Sequence, residues 1–566
     1  MGSRSHVLTV VLEDYYHLSP FKNIIERSRW HRFERRLEVG TRRTLAMLDE
    51  FNVRATFFVL GCVAETAPEL VREIAERGHE VASKGYDHRG IKEMSPASFW
   101  EDIQRSREAL ENATGRAVLG YRVADRWLGP SDLWALDMLV EAGYRYDSSI
   151  RPVFRDFAGQ PWRRFLHQHH GPAGSIWEVP ASSAEILGFH VPVAGGNYFR
   201  QFPPMLIRRA IADWDRKVAA PFVMYFHTWE LDPDQPRITS ASLPATIRQY
   251  RNLHRMESII REYLARYRFQ GIADHLGLTP ETRERPRATV PSAAAIPRSP
   301  TSGQARTPVS VVVPCYNEEL TLGYLSNTLR EVEEVLDPSY EVEFVFVDDG
   351  SQDRTRETLE RLFGNRSNCV IVDHPHNRGV TAATLTGIRA ARSEIVCSID
   401  CDCSYDPREL RQLIPLMIEG VDLVTASPYH AQGQVRNVPR WRLSLSRSAS
   451  ALYRLICHQR IGTYTSCFRV YRRSAVLELD IREPGFLGVV EIIAKLDLRG
   501  GRIAECPATL EARLLGHSKM KTLRTIFAHL GLMARLSWLR LRHVRVTPDP
   551  HPVRLQTVSG EHTTLP

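Results

Sequence analysis

The 566-residue chain has no uninterrupted apolar run of the roughly 18 residues that cross a bilayer, so a membrane-spanning protein is not expected. No apolar leader core follows Met1-Gly2-Ser3-Arg4-Ser5-His6; Val7 to Leu12 reads instead as a short strand, which argues against export. Cysteine is sparse, with nine scattered residues, an odd number, and no Cys-x-x-Cys pair. That argues against a disulfide scaffold and fits a reduced, cytoplasmic protein. No basic segment is interleaved with aromatics, and a formal charge of +8 is small for a nucleic-acid binder, so no nucleic-acid partner is expected. The excess suits phosphates or an anionic membrane surface, hence a second expectation of peripheral contact with the inner membrane face.

What is present is globular: 43% hydrophobic and 25% charged residues over a length that suits two domains of roughly 250 residues each. Between Thr279 and Pro308 the sequence thins to Pro, Arg, Ala, Ser and Thr, the composition of an extended linker. The expected organisation is a domain over 1–278, a linker over 279–308, a second domain over 309–545 and a tail over 546–566.

In the second domain, Val309-Ser310-Val311-Val312-Val313 reads as a buried strand, and Pro314-Cys315-Tyr316-Asn317-Glu318-Glu319 as a turn opening a helix. A second strand over 343–347 ends in Asp348-Asp349-Gly350-Ser351, and a third over 369–372 precedes Asn377-Arg378-Gly379 and a helix over 381–391. The fourth, over 394–399, closes on Asp400-Cys401-Asp402. Such alternation predicts an open α/β sheet that binds its ligand along the carboxyl edge. An Asp-x-Asp pair at that edge suits a hard divalent cation gripping a diphosphate, as a nucleotide-sugar donor requires.

Pro314-x-Tyr316-Asn317-Glu318, Val347-Asp348-Asp349-Gly350-Ser351, Asn377-Arg378-Gly379, Asp400-x-Asp402, Phe468-Arg469-Val470-Tyr471 and Gly516-His517-Ser518-Lys519 occur in order. Roughly 308–536 thereby resembles family 2 glycosyltransferases of the GT-A fold (Rossmann-like, mostly parallel sheet), in the dolichol-phosphate mannose synthase-like branch. The resemblance implies that Pro314, Tyr316, Glu318 and Asp349 surround the nucleoside, with Asn317 and Asp348 in the same binding set. It implies Mg or Mn on Asp400 and Asp402, and Arg469, Ser518 and Lys519 facing phosphates of donor or acceptor. A polyprenyl-phosphate acceptor is already anionic and needs cationic positioning. A saccharide hydroxyl needs a base, for which Glu491 is the candidate. Near the C-terminus, Leu523, Ile526, Phe527, Leu530, Met533 and Trp538 recur at helical spacing among Lys521, Arg524, Arg535, Arg540 and Arg542. The pattern suits a helix on an anionic membrane or one packed on its own domain.

In the first domain, Glu13-Asp14-Tyr15-Tyr16-His17, Ala55 to Gly61, Gly78 to Ser83, Tyr146-Asp147-Ser148-Ser149 and Tyr225 to Glu230 resemble the polysaccharide deacetylase (NodB-like) family. The branch is the one associated with exosortase and exopolysaccharide loci, and the implied fold is an incomplete (β/α) barrel. The implied site holds zinc or a similar ion on Asp14 and two histidines, one of them His88, with Glu13 as base, His227 as acid, and Arg122 and Asp147 in support. The family pattern His-x-x-x-His is here Lys84-Gly85-Tyr86-Asp87-His88. A lysine at its ordinary pKa has no lone pair to donate, so one ligand is missing. Tyr121-Arg122-Val123-Ala124-Asp125 departs from the family's Tyr-Arg-Ala-Pro-Ser as well.

Three functions remain open on the sequence. The first is a glycosyltransferase moving a sugar from a nucleotide donor to a polyprenyl-phosphate or oligosaccharide acceptor, fused to a deacetylase-like domain that is weak or inactive. The second is a bifunctional transferase and metal-dependent carbohydrate N-deacetylase in cell-surface polysaccharide synthesis, and the third a glycan-binding scaffold without catalysis.

Overall fold

Runs of β-branched residues that alternate with helices build two separate parallel-rich sheets, one in each of two units, Met1–Gly303 and Gln304–Pro566. The computed structural model describes residues 4–125, 127–151, 157, 159–186, 189–280, 306–516 and 522–542. Most of the expected linker and the whole expected tail lie outside the described residues.

The first unit is an incomplete (β/α) barrel. Its strands are β1 (Ser5–Leu12), β2 (Thr56–Val59), β3 (Glu80–Ser83), β4 (Gly120–Tyr121), β5 (Tyr146–Asp147), β6 (His167–Gly171) and β7 (Gly174–Glu178). A separate hairpin of β8 (Ser183–Ile186) and β9 (Phe189–Pro192) follows, then β10 (Val223–His227) and β11 (Arg268–Gln270). The sheet runs β10-β1-β2-β3-β4-β5-β7-β6 with β11 also on β1, and its two ends do not pair. Every pairing except β6 with β7 is parallel, so the segments leaving β1, β3, β4, β5 and β10 emerge at one rim. That rim is where a barrel collects functional side chains.

The second unit holds β12 (Thr307–Cys315), β13 (Tyr340–Asp348), β14 (Cys369–Asp373), β15 (Ile395–Ser398), β16 (Leu423–Ser427), β17 (Gln434–Arg436), β18 (Arg469–Arg472), β19 (Ile503–Pro507) and β20 (Thr509–Glu511). The main sheet runs β14-β13-β12-β15-β18-β16-β19, with β18 antiparallel to both neighbours. β12 is an interior strand whose Val309–Val313 stretch is buried, and the chain passes from it to β13 on one side and reaches β15 on the other. That reversal makes a crevice at the carboxyl ends, the site of ligand binding in open α/β sheets.

Candidate active sites

Glu13 leaves β1 directly and is buried, and three side chains converge on it. Lys84 Nζ donates to Oε1, His88 Nε2 lies 3.0 Å from the same oxygen, and His227 Nδ1 lies 3.1 Å from Oε2. The register explains the meeting: Val11 pairs with His227 at the end of β10, while Lys84 is the first residue beyond β3. The loop that follows turns back sharply, with Gly85 at φ 73° and His88 at φ 61°, a left-handed conformation that only a well-determined environment keeps in a histidine. Lys84 Nζ also donates to the Ala124 carbonyl at 2.8 Å. Burial alone would raise the Glu13 carboxyl, but Lys84, His88 and His227 outweigh it and hold it well below the usual range.

Asp14 faces elsewhere. It accepts N–H groups from Tyr15 (2.9 Å), Arg36 (2.8 Å) and Leu37 (3.0 Å), so its carboxylate covers the N-terminus of the Leu37–Glu50 helix. Burial pushes it up to about 7. The expected pairing of Asp14 with His88 is thus replaced by Glu13 with His88. Among the described residues, no group of three or more His, Cys, Asp or Glu side chains has the arrangement that holds a metal ion; Glu13, His88 and His227 meet as hydrogen-bonding partners, with Lys84 donating to the same carboxylate.

Arg122 and Asp147 brace the rim. The buried Arg122 guanidinium donates to Ser148 O (3.0 Å), Ser148 Oγ (2.7 Å) and Thr9 Oγ1 (3.1 Å), and lies 4.1 Å over the Phe58 ring. Asp147 accepts from Ser149 N and Oγ at 2.7 and 2.6 Å and faces Glu178, its partner across β5 and β7. Burial and the Asp147 charge push Glu178 well above the carboxylate range. Glu178 had no signal in the sequence beyond closing a short strand.

In the second unit, the loop after β12 is stapled to the loop after β13. Asn317 N donates to Ser351 Oγ (2.9 Å), Gln352 N to Asn317 Oδ1 (2.7 Å) and Glu318 N to Thr355 Oγ1 (2.7 Å). Asn317 takes φ 50°, a conformation asparagine tolerates. Pro314, next to last in β12, and Tyr316, on this loop, are half-buried. Asp348 accepts from Ser351 N at 3.1 Å. Asp349 accepts from His374 Nδ1 (2.7 Å), Arg378 N (2.9 Å), Asn377 Nδ2 (3.0 Å) and Gly379 N (2.8 Å), so this carboxylate organises the Asn377-Arg378-Gly379 turn.

Asp400 and Asp402 follow β15 at the same edge. Burial and the neighbouring Asp402 raise Asp400 to about 7. Arg513, which the sequence reading missed, donates from Nε to Asp402 Oδ2 at 2.6 Å and lies 3.1 Å from Glu318 Oε1 through Nη1. One guanidinium therefore joins the β12 and β15 loops, and its position three residues before Gly516 was the available signal.

Two expected residues are placed differently. Arg469 begins β18 opposite Ser398, at the carboxyl edge, but its guanidinium is fully buried and donates to the Tyr464 carbonyl (2.8 Å) and the Val489 carbonyl (2.5 Å). Glu491, buried in the Phe486–Leu498 helix, accepts from Arg482 N (2.9 Å) and Glu483 N (2.8 Å) and pairs with Lys495 (2.7 Å), so it holds the loop that precedes its own helix. Ser518 and Lys519 lie outside the described residues.

Comparison with known proteins matches residues 27–128 to polysaccharide deacetylase, 148–276 to a domain of unknown function (DUF3473) and 310–480 to glycosyl transferase family 2. The chain is 32% identical over 218 residues to the polyprenol monophosphomannose synthase of Mycolicibacterium smegmatis, covering 37% of this chain and 80% of the relative. It is 29% identical over 230 residues to the dolichol-phosphate mannosyltransferase of Pyrococcus furiosus, covering 40% of this chain and 63% of the relative. It is 33% identical over 173 residues to the undecaprenyl-phosphate 4-deoxy-4-formamido-L-arabinose transferase of Pseudomonas paraeruginosa, covering 30% and 48%. The chain thus spans less than two thirds of the length of the latter two. With its sheet topology, carboxylate edge and these relatives together, the chain belongs to glycosyltransferase family 2 through its C-terminal unit and carries a polysaccharide deacetylase domain in its N-terminal unit.

Proposed function

We propose that the C-terminal unit transfers a sugar from a nucleotide-sugar donor to a polyprenyl-phosphate or saccharide acceptor, with Mg or Mn on Asp400 and Asp402. The observation that carries this reading is the paired carboxyl edge, where Asp400 is held near 7 by burial and Asp402. Two crowded carboxyl groups that resist joint ionisation are relieved by a hard cation, and one or two carboxylates suffice when the remaining ligands are water and donor phosphates. The bound ion would neutralise the leaving diphosphate. Arg513 adds a fixed positive charge beside it.

The polyprenyl-phosphate class is favoured over a saccharide hydroxyl by two facts. The named relatives act on polyprenyl carriers. Glu491, the candidate base, is committed to two backbone N–H groups and Lys495. An acceptor that arrives ionised needs no such base.

For the N-terminal unit we infer saccharide recognition with little or no zinc-dependent deacetylation. A catalytic zinc uses three protein ligands, whereas here an ammonium occupies Glu13 and Asp14 serves a helix end, so the residues present do not fit the ion. Manganese-dependent nucleotide release from nucleotide sugars, measured in parent and Asp402→Ala, tests the transferase; equal release by both would refute it. Acetate release from acetylated oligosaccharides that disappears in His88→Ala would establish the bifunctional reading instead.

A further inference from the structure

Arg151 follows β5 at the barrel rim of the N-terminal unit, and local pairing fixes its company. Leu128 bridges Ile150 and donates its N–H to Ser149 O at 2.9 Å, which lays the segment after β4, with Trp127, beside the segment after β5. Along β10, Tyr225 N donates to Ala194 O and Gly196 N to Tyr225 O, both at 2.9 Å. That approach needs glycine: a Cβ on Gly195, at φ 136°, would meet Tyr225 O at 1.9 Å. It brings Tyr198, in the Asn197–Gln201 helix, to the same part of the rim.

Trp127, Arg151 and Tyr198 are all half-buried. The Arg151 guanidinium lies 5.0 Å from the centre of the Trp127 ring and 5.8 Å from that of Tyr198, and Nη1 donates to Tyr198 Oη at 2.7 Å. The two rings and this bond hold the guanidinium in place. Its other edge stays open: Nε is buried without an acceptor, no described residue accepts from Nη2, and no described carboxylate pairs with Arg151. Elsewhere in the same unit that edge binds carboxylates. Arg36 places Nε and Nη2 on Asp232 at 2.6 and 3.0 Å, and Arg208 places them on Glu262, both at 2.7 Å. A buried donor left without a partner is destabilising, and an open Nε–Nη2 fork matches both oxygens of a carboxylate supplied from outside the chain. The Trp127 ring is 6.0 Å from the Tyr225 ring, which is 6.0 Å from the ring of His227, the partner of Glu13. Two such steps are within the reach of a short oligosaccharide, and the C–H faces of its pyranose rings pack on aromatic faces.

We propose that Trp127, Arg151 and Tyr198 form the subsite at which the N-terminal unit takes a hexuronate residue of its glycan, with the carboxylate on the Nε and Nη2 edge of Arg151 and the ring against Trp127. The proposal rests on the saccharide recognition inferred for this unit and names its substrate class. A planar group with two oxygens and one charge matches a single planar fork, whereas a phosphate would bring up to two charges to one cation. Tyr198 is a positioning residue, because its phenol fixes Nη1 and leaves the opposite edge for the ligand.

The test is calorimetry of the full chain with 4-linked oligogalacturonate and oligoglucuronate, each as the free acid and as the methyl ester. In at least one series the acid is expected to bind at least about tenfold more tightly than its ester, and the preference is expected to shrink with salt. Arg151→Gln is expected to remove the preference while ester binding and the melting temperature stay unchanged. Arg151→Lys, which keeps the charge but not the fork, is expected to lose most of it as well. Trp127→Ala is expected to weaken acid and ester alike. Acid and ester binding equally would overturn the hexuronate proposal and leave saccharide recognition standing, whereas no binding of any of the four would overturn both. A preference that survives in Arg151→Gln, or inorganic phosphate or sulfate that displaces the acid at equal concentration, would also overturn the proposal.

Discussion

Lys84→His separates an ammonium-filled site from a metal site in one substitution. Lys84 and Glu13 are 4% and 1% exposed, so little solvent screens their pair. Removing one partner of a buried ion pair costs about 3–5 kcal/mol, because the remaining charge stays uncompensated. His88 and His227 still contact Glu13, which puts the expected loss near the lower end, about 3 kcal/mol, with the Ala124 carbonyl also losing its donor. Chemical denaturation followed through the N-terminal unit should show this as a lower midpoint at neutral pH. Zinc should restore part of it in the variant, since an ion that binds only the native state stabilises it by mass action, and should leave the parent unmoved. The pH dependence follows from Glu13, whose carboxyl is held low in the folded state. Its contribution is present above the unfolded value of about 4.3 and is lost as pH falls through the folded one, so without Lys84 the acid loss should begin at higher pH. A variant as stable as the parent, or a parent that zinc stabilises, would refute the reasoning.

At the transferase edge, Asp400 titrates near 7, and only its ionised form can hold a cation. Apparent manganese affinity, read by titrating activity or by calorimetry, should therefore rise from pH 6 to pH 8 and release a proton; a flat profile refutes it. Asp349→Ala removes the acceptor of four hydrogen bonds from residues 374–379 and should loosen that turn. Faster amide exchange at Arg378 and Gly379 and a raised donor KM are expected, with about 2 kcal/mol of lost stability. Glu491→Gln should lower the melting temperature while kcat stays within a few-fold, because its oxygens serve backbone N–H groups; a collapse of kcat with unchanged melting would restore it as a base.

The alternation of β-branched runs with helical segments made both sheets legible, and ordered motifs pointed to the strand ends where the candidate sites lie. The Asp-x-Asp pair, the Asp348-Asp349 strand end and the substitution at Lys84 were all readable, because each follows a strand whose end fixes its position along the edge. Orientation was not. Asp14 and Glu13 are adjacent, yet one serves a helix terminus and the other the barrel rim, since successive residues of an extended chain point to opposite sides.

The sequence by itself determined the two α/β units and the carboxylate pairs at their strand ends, because strand periodicity and residue chemistry are local properties. Only the tertiary structure decided that the Arg469 side chain is interior, that Glu491 holds the loop before its own helix, and that Arg513 joins Glu318 to Asp402. Those outcomes depend on which segments pack together across tens to hundreds of residues, and a periodicity read along the chain carries no information about the neighbour on the other side.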